Sequence, residues 1–205
     1  MESIYGNAMK DLETVRDAVL VEIMRIRSEM EKELGMDPIE HLLGRIKDEE
    51  SMREKCRRRG MSETTESALY GSIYDAVGLR IVCAFIDDIY TIKERLLSLP
   101  HIEVIQEKDY IKNVKKNGYR SFHLIIRYDL GQVSGDPDNE KRKYYTEIQL
   151  RTISMDTWAA LEHHLKYKKE IGGNKELIVK ELKRCADELA STDVSMQTLR
   201  DMING

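Results

Sequence analysis

The sequence has few of the residues that cross-link a chain, interrupt it or anchor it in a membrane. Its 205 residues include three cysteines and three prolines, and the cysteines are odd in number and unclustered. This pattern argues against a disulfide framework and a zinc site, and predicts a reducing, cytoplasmic location. No apolar run approaches the ~20 residues of a membrane-spanning helix, and the first residues lack a signal-peptide pattern. We therefore expect no membrane association and no secretion.

Charge, by contrast, is abundant. Charged residues make up 34% of the chain, apolar residues 41%, and the formal net charge is -4. An acidic protein of this kind is not a typical duplex-DNA binder. The charge is uneven, because one basic cluster spans residues 45–59 and another spans residues 108–120. Such clusters suit a small polyanion such as a nucleotide, although the three arginines at 57–59 are also typical of a solvated helix face.

Hydrophobic periodicity predicts helices first, then a mixture dominated by strands, then helices again. A long helix over residues 8–34 ends at Gly35, and Asp37 and Pro38 are expected to open a further helical segment as N-cap and first-turn proline. The other predicted helices cover residues 48–59, 87–98, 153–169 and 175–203, with residues 60–72 as a linker or short helix. The predicted strands cover residues 78–86, 102–111, 121–130 and 142–152, with a polar hairpin loop over residues 131–141.

This order predicts an α+β (mixed α/β) fold, in which a small sheet has helical flanks. The two long terminal helices exceed what one small sheet needs for its cover. Self-association through these helices is therefore expected.

Two carboxylates stand out because of their position relative to the strands. Asp75 comes just before the strand at 78–86, where it can bind a metal at the sheet edge or simply cap a turn. Glu147 lies inside a strand, where glutamate is disfavoured. With Gln149 and Arg151 it defines a polar face, which is either a site or a solvent-exposed surface. Mg²⁺ bound by one or two carboxylates and by substrate phosphates is a recurring arrangement.

A tight turn with flanking cations forms a second candidate region. Asn117 and Gly118 predict a turn that holds Tyr119 at a site rim, where its ring can stack on a base or serve as an ordinary hairpin aromatic. His123 follows on the next strand and, taken alone, is equally compatible with a structural role. The cations beside this turn are Lys112, Lys115, Lys116 and Arg120.

A third group precedes and enters the predicted helix at 48–59. Arg45 and Lys47 come first, and Lys47, Ser51 and Lys55 have the i, i+4, i+8 spacing of one helical face. Phosphate-holding cations, a ring that can stack a base and carboxylates that can hold Mg²⁺ are the parts of a nucleotide-handling site. We therefore expect a phosphotransfer enzyme.

These residues fall into four blocks whose order and spacing resemble the synthetase domain of RelA/SpoT-type (p)ppGpp synthetases. The blocks are Gly44 to Lys47 with Ser51 and Lys55, Asp75 to Arg80, Asn117 to His123, and Glu147 to Thr152. Each block alone is a weak signal, whereas four in order are a strong one, and the resemblance covers roughly residues 38–168. The His-Asp dipeptide of the family's hydrolase domain is missing from the sequence. The chain thus resembles a stand-alone small alarmone synthetase without a hydrolase domain.

The resemblance implies a nucleotidyltransferase-like mixed sheet in a single synthetase domain over residues 1–205. An N-terminal helix (1–36) and a C-terminal helix (174–205) would flank a catalytic core (37–170). The implied reaction moves pyrophosphate from ATP to the 3′-hydroxyl of GDP or GTP and releases AMP, with Mg²⁺ as cofactor. Small synthetases of this family commonly form homotetramers through their terminal helices.

The family's functional residues can be carried onto the matching positions. Asp75 and Glu147 are the expected catalytic and metal-binding residues, with Glu147 on the metal or acting as the base on the 3′-hydroxyl. The expected ATP contacts are Arg45, Lys47, Ser51, Lys55 and Arg80. The expected GDP or GTP contacts are Lys112, Lys115, Lys116, Asn117, Tyr119, His123, Gln149 and Arg151. Lys115 and Lys116 are interchangeable at this stage, and the sequence does not select the preferred acceptor.

Two other interpretations stay open. A family member that binds guanine nucleotide or alarmone without turnover would be a sensor, and the arginines at 57–59 suggest an RNA-binding module. All the motif carboxylates are present, which favours an enzyme over a sensor. The acidic net charge and the single obvious stacking tyrosine count against RNA binding as the primary role.

Overall fold

A computed structural model describes residues 3–131, 142–167 and 175–204 of the chain. The helices are α1 (Met9–Leu34), α2 (Glu49–Arg58), α3 (Thr65–Leu69), α4 (Ile86–Leu97), α5 (Ile153–Tyr167) and α6 (Lys175–Asn204), preceded by a 3-10 helix at Gly6–Ala8. The strands are β1 (Ile39–Ile46), β2 (Val77–Cys83), β3 (Ile102–Asp109), β4 (Phe122–Asp129) and β5 (Lys143–Thr152). In the described ranges, no helix is both long enough and apolar enough to cross a membrane.

The five strands form one mixed sheet in the order β1-β2-β5-β4-β3. β2 and β5 are parallel, and the other neighbouring pairs are antiparallel. Because side chains alternate along a strand, β5 turns Ile148 and Leu150 to one face and Glu147 and Gln149 to the other. The apolar face is buried under α1 and α4. The α+β fold with a mixed sheet and long terminal helices is therefore confirmed.

Helix α1 shows why the N-terminal prediction was correct. Its fully buried residues recur at the spacing of one helical face and are Leu12, Val15, Val19, Ile23, Ile26 and Met30. Gly35 follows in the left-handed region with φ 70°, and its N–H donates to the carbonyl of Glu31. A glycine in this conformation satisfies a terminal carbonyl and ends the helix.

The C-terminal helix α6 packs on α5 and reaches back to the turn before β4. The indole N–H of Trp158 on α5 donates to the carbonyl of Leu182, at 2.8 Å. The guanidinium of Arg120 donates to the carbonyl of Ala186, at 3.2 Å, and to the carboxylate of Asp187, at 2.8 Å. These hydrogen bonds from Arg120 hold the turn that contains Gly118 against α6.

The prediction that Asp37 and Pro38 open a helix was wrong, because β1 begins at Ile39. The Asp37 side chain accepts the Ile39 N–H at 3.0 Å and also pairs with Arg27. Only Ile39 is buried in β1. The strand therefore lacks the alternating apolar pattern that identifies strands, and the sheet has five strands where four were expected.

Lys47, Ser51 and Lys55 do not share one helical face. Lys47 follows β1, and α2 starts only after Asp48, whose carboxylate caps the helix by accepting the Ser51 N–H at 2.9 Å. Lys47 and Lys55 nevertheless meet in space, because both ammonium groups reach Asp75.

The other predicted elements agree with the structure to within a few residues. Helix α4 starts at Ile86, so Asp88 lies in its first turn and accepts the Phe85 N–H at 3.1 Å. Residues 60–72 contain the short helix α3, as one of the two alternatives predicted. The hairpin loop expected over residues 131–141 lies outside the described residues except at its first position.

The contact between Gly118 and α6 gives a stability prediction. Gly118 has φ +92°, and a Cβ there would lie 2.6 Å from the Ala186 Cβ. Gly60 also has positive φ, +68°, but a Cβ there meets nothing within 4 Å. We expect Gly60→Ala to lower the free energy of unfolding by about 1 kcal/mol, and Gly118→Ala to lower it by roughly 1–3 kcal/mol more because of the clash. Urea denaturation at one fixed protein concentration measures both values.

Adding Ala186→Gly to Gly118→Ala removes the clashing methyl group and leaves the backbone strain. A glycine inside α6 itself costs about 1 kcal/mol, so the reference is Ala186→Gly alone. Relative to that variant, Gly118→Ala should cost clearly less than it does beside Ala186, although Lys183 Cα, 3.0 Å from the added Cβ, remains close. Equal losses in Gly118→Ala and Gly60→Ala would show that Gly118 is not packed against α6.

Candidate active site

Asp75 is held by two lysines on the connection that leads into β2. Its Oδ2 lies 2.6 Å from Lys55 Nζ and 3.4 Å from Lys47 Nζ. Its Oδ1 is buried and has no hydrogen-bond partner within the described part of the chain. An unpartnered buried carboxylate oxygen is costly. The arrangement suits a ligand-binding role for Asp75, which stays a prediction.

Glu147 lies on the open face of β5, directly beside Gly78 of β2. Burial raises the pKa of its carboxyl, but the hydrogen bond and the charge of His123, the hydrogen bond from Gln149 and the nearby charge of Lys55 lower it to about 2. Its side chain is therefore a carboxylate at neutral pH. Gly78 has no side chain, which keeps the space beside this carboxylate open.

A cleft of about 280 Å³ runs across β1, β2 and β5 on this face. It is lined by Leu43, Gly44, Arg45, Asp75, Gly78, Leu79, Arg80, Glu147 and Gln149. Five of the predicted site residues thus share one cavity. Both expected catalytic carboxylates are among them, and Lys47 and Lys55 reach it through their contacts with Asp75.

Arg45 and Arg80 approach the cleft from neighbouring strands. Arg45 is paired with Gly78 across the β1–β2 ladder, and its side chain lies over this glycine. Arg80 Nη1 lies 3.3 Å from Asp156, a residue of α5. Ser51 is held by Asp48 in the first turn of α2 and is not among the residues lining the cleft.

Lys115 and Lys116, which the sequence could not distinguish, have different surroundings. Lys115 Nζ lies 4.7 Å from the ring centre of Tyr119 and 4.2 Å from that of Tyr110. Lys116 is exposed. Of the two lysines, Lys115 is therefore the one that lies beside the predicted stacking ring, and the Arg151 guanidinium also lies near that ring, 5.4 Å from its centre.

Lys112 lies farther along the same connection. Its ammonium sits 4.9 Å from the ring centre of Tyr90 and 3.9 Å from Asp109, and its side chain is 72% exposed. Asp109 in turn accepts the Tyr90 hydroxyl at 3.0 Å. Among the lysines of this connection, Lys112 is thus directed towards α4.

Five predicted site residues form a closed ring of hydrogen bonds, which we call the Arg151 ring. Its members are Arg151, Tyr119, His123, Glu147 and Gln149. Arg151 Nη2 donates to the Tyr119 hydroxyl at 2.9 Å and to the Gln149 amide oxygen at 2.7 Å. The Tyr119 hydroxyl is 2.7 Å from His123 Nε2, and His123 Nδ1 is 3.2 Å from Glu147 Oε1. The Gln149 amide nitrogen completes the ring by donating to Glu147 Oε2 at 3.2 Å.

Asn117, an expected nucleotide contact, uses its amide within the protein. Its side-chain nitrogen donates to Glu162 Oε1 at 3.0 Å, and its oxygen accepts the Tyr119 N–H at 3.2 Å. Asn117 therefore shapes the turn and joins it to α5. Its role as a direct nucleotide contact stays a prediction.

Two acidic residues of α5 were missed as parts of the site. Glu162 is buried and holds Asn117, and Asp156 accepts from Arg151 Nη1 at 2.9 Å and also lies near Arg80. Asp156 follows Arg151 by five residues, which the strand–helix junction brings together. The second partner of Asp156 is Arg80, which comes from β2, and no local sequence signal reveals a contact between residues so far apart in the chain.

The residues present fit a Mg²⁺ ion whose remaining ligands come from substrate. Among the described residues, no group of three or more His, Cys, Asp or Glu side chains is arranged to hold a metal. Two carboxylates, Asp75 and Glu147, line the cleft, and the buried Oδ1 of Asp75 lacks a partner. Mg²⁺ is commonly held by one or two carboxylates plus phosphate oxygens and water. The cations around the two carboxylates suit a polyphosphate.

The chain is similar in sequence to a known protein family and to known proteins. Residues 44–172 match the model of the region found in RelA/SpoT proteins. The chain is 36% identical to the GTP pyrophosphokinase YjbM of Bacillus subtilis over 196 residues, which is 96% of this chain and 85% of that protein. It is 38% identical to the GTP pyrophosphokinase YwaC of the same organism over 170 residues, 83% and 78% of the two chains.

Solved structures give the same result. The small alarmone synthetase 1 of Bacillus subtilis, bound to its product pppGpp, matches with a TM-score of 0.78, 34% identity and 95% coverage of both chains. Small alarmone synthetase 2 of that organism matches with a TM-score of 0.79 and 34% identity, over 96% of this chain and 98% of the other. The family model covers more than half of the chain and the relatives are similar over nearly all of it, and the chain therefore belongs to the RelA/SpoT family.

Proposed function

We propose that this chain is a GTP pyrophosphokinase that transfers the β,γ-pyrophosphoryl group of ATP to the 3′-hydroxyl of GDP or GTP, releasing AMP. The observation that carries the proposal is that Asp75 and Glu147 line one cleft between cations from two sides. The relatives named GTP pyrophosphokinases support the same reaction. The product is the alarmone ppGpp or pppGpp.

ATP binds on the side of the cleft formed by β1, β2 and α2. Arg45 and Arg80 line the cleft there, and Lys47 and Lys55 meet at Asp75. Transfer of a phosphoryl or pyrophosphoryl group depends on neutralising charge and aligning the reacting atoms. These four cations supply that neutralisation. A related synthetase has been solved with the ATP analogue AMPCPP, with 31% identity and a TM-score of 0.72.

The guanine nucleotide binds beside the turn at Tyr119. The ring of Tyr119 stacks on guanine, and Lys115, already against that ring, is the lysine nearest to the acceptor. His123, Gln149 and Arg151 lie behind Tyr119 in the Arg151 ring, so they act mainly by holding Glu147 and Tyr119 in place.

Asp75 and Glu147 hold Mg²⁺ together with the substrate phosphates. When bound, the ion supplies Lewis-acid stabilisation of the charge on the transferred group. Glu147 is ionised and fixed by two hydrogen bonds, so it can accept a hydrogen bond from the 3′-hydroxyl and orient this nucleophile. With a pKa of about 2, it is better suited to orienting the hydroxyl than to retaining its proton.

Product analysis tests the proposal directly. The protein is incubated with ATP, Mg²⁺ and either GDP or GTP, and the nucleotides are separated by anion exchange. AMP formed in step with a guanosine tetra- or pentaphosphate is the expected result. Guanine-nucleotide binding without AMP would instead support a sensor.

RNA binding is less well supported as a primary role. Arg57 pairs with Glu50 and Glu63, and Arg59 donates to the carbonyl of Ser72. Two of the three consecutive arginines are therefore already engaged with neighbouring groups.

Removing either carboxylate should abolish turnover without unfolding the protein. We expect Glu147→Gln and Asp75→Asn each to lower kcat by ~100-fold or more, because the amide can neither hold Mg²⁺ nor orient the 3′-hydroxyl as a carboxylate does. The measurement is steady-state AMP production, with thermal unfolding as the check on folding.

Glu103→Gln is the matched control. Glu103 is an exposed residue of β3 that pairs with Arg127 and lies away from the cleft. It should leave kcat unchanged. A well-folded Glu147→Gln variant within tenfold of the unmodified enzyme would contradict the role assigned to Glu147.

We also propose that residues 1–205 act as one synthetase domain, in which an N-terminal segment (1–36) and a C-terminal segment (174–205) flank the core at 37–170. A single buried cluster that joins residues of α1, α2, α4 and all five strands supports this view. Free thiols at Cys56, Cys83 and Cys185 support a cytoplasmic location.

A homotetramer formed through the terminal helices is a further part of the proposal. On α6, Met196, Leu199 and Ile203 follow the i, i+3, i+7 spacing of one face and are all exposed, Ile203 by 81%. An apolar stripe of this kind on a long helix is typical of a helix–helix interface.

A charge within this stripe should disrupt the assembly. Leu199→Lys places an ammonium in the proposed interface, and we expect a shift from tetramer to smaller species in light scattering coupled to gel filtration. Thr198 is exposed and precedes Leu199, but it lies on a different face of the helix from the stripe. Thr198→Lys adds the same charge there and should not change the mass of the assembly. A monomeric unmodified protein, or equal effects of the two variants, would contradict an interface on this stripe.

A further inference from the structure

We propose that the Tyr119 hydroxyl is a positioning group for Glu147, in addition to the stacking role of the Tyr119 ring. It acts through His123, whose orientation it fixes in the Arg151 ring. This inference rests on the proposed function, and it assigns to one residue both the binding of the acceptor base and the alignment of the carboxylate that meets the acceptor hydroxyl.

The direction of the hydrogen bonds follows from the donors available. Arg151 has only N–H donors, so the Tyr119 oxygen must accept from it. The hydroxyl proton of Tyr119 is then free to be donated to its other neighbour, His123 Nε2, at 2.7 Å. A neutral His123 that accepts at Nε2 carries its proton on Nδ1.

The opposite tautomer is disfavoured by the same geometry. With the proton on Nε2, the lone pair of His123 Nδ1 would face Glu147 Oε1 at 3.2 Å with no proton between two acceptors. With the proton on Nδ1, every contact along the path from Arg151 through Tyr119 to Glu147 is a donor–acceptor pair. The arrangement therefore selects the Nδ1–H tautomer, which donates to Glu147.

A second path from Arg151 reaches the other oxygen of the same carboxylate. Arg151 donates to the Gln149 amide oxygen, and the Gln149 amide nitrogen donates to Glu147 Oε2. Both oxygens of Glu147 are thus held by paths that begin at one guanidinium. Asp156 fixes that guanidinium from its other side at 2.9 Å. Loss of the Tyr119 hydroxyl breaks one path and leaves the other intact.

Kinetics of Tyr119→Phe test the proposal, because phenylalanine keeps a stacking ring and removes only the hydroxyl. We expect the KM for GDP to stay within about twofold, and kcat to fall by roughly 10-fold or more, as is usual when a group that orients an active-site residue is lost. A raised KM with unchanged kcat would assign the hydroxyl to acceptor binding and overturn the inference.

Tyr110→Phe is the matched control. The Tyr110 ring packs edge-on against Tyr119 and His123, and its hydroxyl makes no hydrogen bond within the described residues. Removing this hydroxyl should leave kcat unchanged. An equal fall in kcat for both variants would show that the effect comes from packing of the rings and not from the hydrogen-bond path.

A double variant tests whether Tyr119 acts through His123. Since Tyr119→Phe and His123→Gln break the same path, the variant that carries both should be no slower than His123→Gln alone. If the fold-loss in kcat of the double variant equals the product of the losses of the two single variants, the two residues do not act along one path. Tyr119→Phe combined with Tyr110→Phe should match Tyr119→Phe.

The tautomer of His123 gives a readout that does not depend on turnover. Long-range nitrogen–proton NMR of protein labelled with ¹⁵N-histidine, at mildly alkaline pH, identifies the protonated ring nitrogen, and His123→Gln assigns the signal among the five histidines. The Nδ1–H form is expected in the unmodified protein, and Tyr119→Phe should weaken this preference because it removes the donor to Nε2 while Glu147 remains beside Nδ1. A predominant Nε2–H form in the unmodified protein would overturn the inference even if the enzyme is active. An inactive unmodified protein with the expected tautomer would instead contradict the proposed function alone.

Discussion

The pairing of β5 with β2 on one side and with β4 on the other determines where the polar groups of the cleft lie. The parallel register places Glu147 beside Gly78, and the antiparallel register places Gln149 opposite His123. A shift of one residue in either register would turn Glu147 into the core and Ile148 into the cleft. The apolar face under α1 and α4 opposes such a shift, because Ile148 and Leu150 are fully buried there. The hydrophobic core is therefore what keeps the carboxylate on the open face.

Electrostatic balance around the two carboxylates is the next consequence of this register. Lys47 and Lys55 come from the chain around α2, whereas Asp75 comes from the connection that leads into β2, and they meet because β1 and β2 are paired. The two lysines bring positive charge to the place where the proposed reaction needs to hold a polyphosphate. The same cluster thus serves the fold, by pairing charges that are largely removed from water, and the proposed reaction, by neutralising phosphate.

Much of this arrangement could be predicted from the sequence, for reasons that differ between elements. Helix α1 and strand β5 carry strong periodic patterns, and the four motif blocks placed Asp75, Glu147 and Tyr119 together. Strand β1 could not be recognised because only Ile39 is buried, and its pairing with β2 is a long-range contact. The contact between Asp156 and Arg80 could not be predicted either, since Arg80 comes from another strand.

The buried guanidinium of Arg151 shows why the remaining geometry had to come from the structure. Its side chain is 7% exposed, and a buried cation is costly unless its charge is paired and its N–H groups are satisfied. Asp156 supplies the charge, and Ser121, Tyr119 and Gln149 supply acceptors, with distances of 2.7–3.4 Å. Breaking one of these contacts leaves an N–H group of the buried cation without an acceptor, which lowers stability. Replacing Arg151 and its partners together by apolar residues would carry no such cost. Stability alone does not explain why a cation lies at this position. The guanidinium of Arg151 does, however, begin both hydrogen-bond paths that hold the two oxygens of Glu147, and its rigid planar shape suits that task.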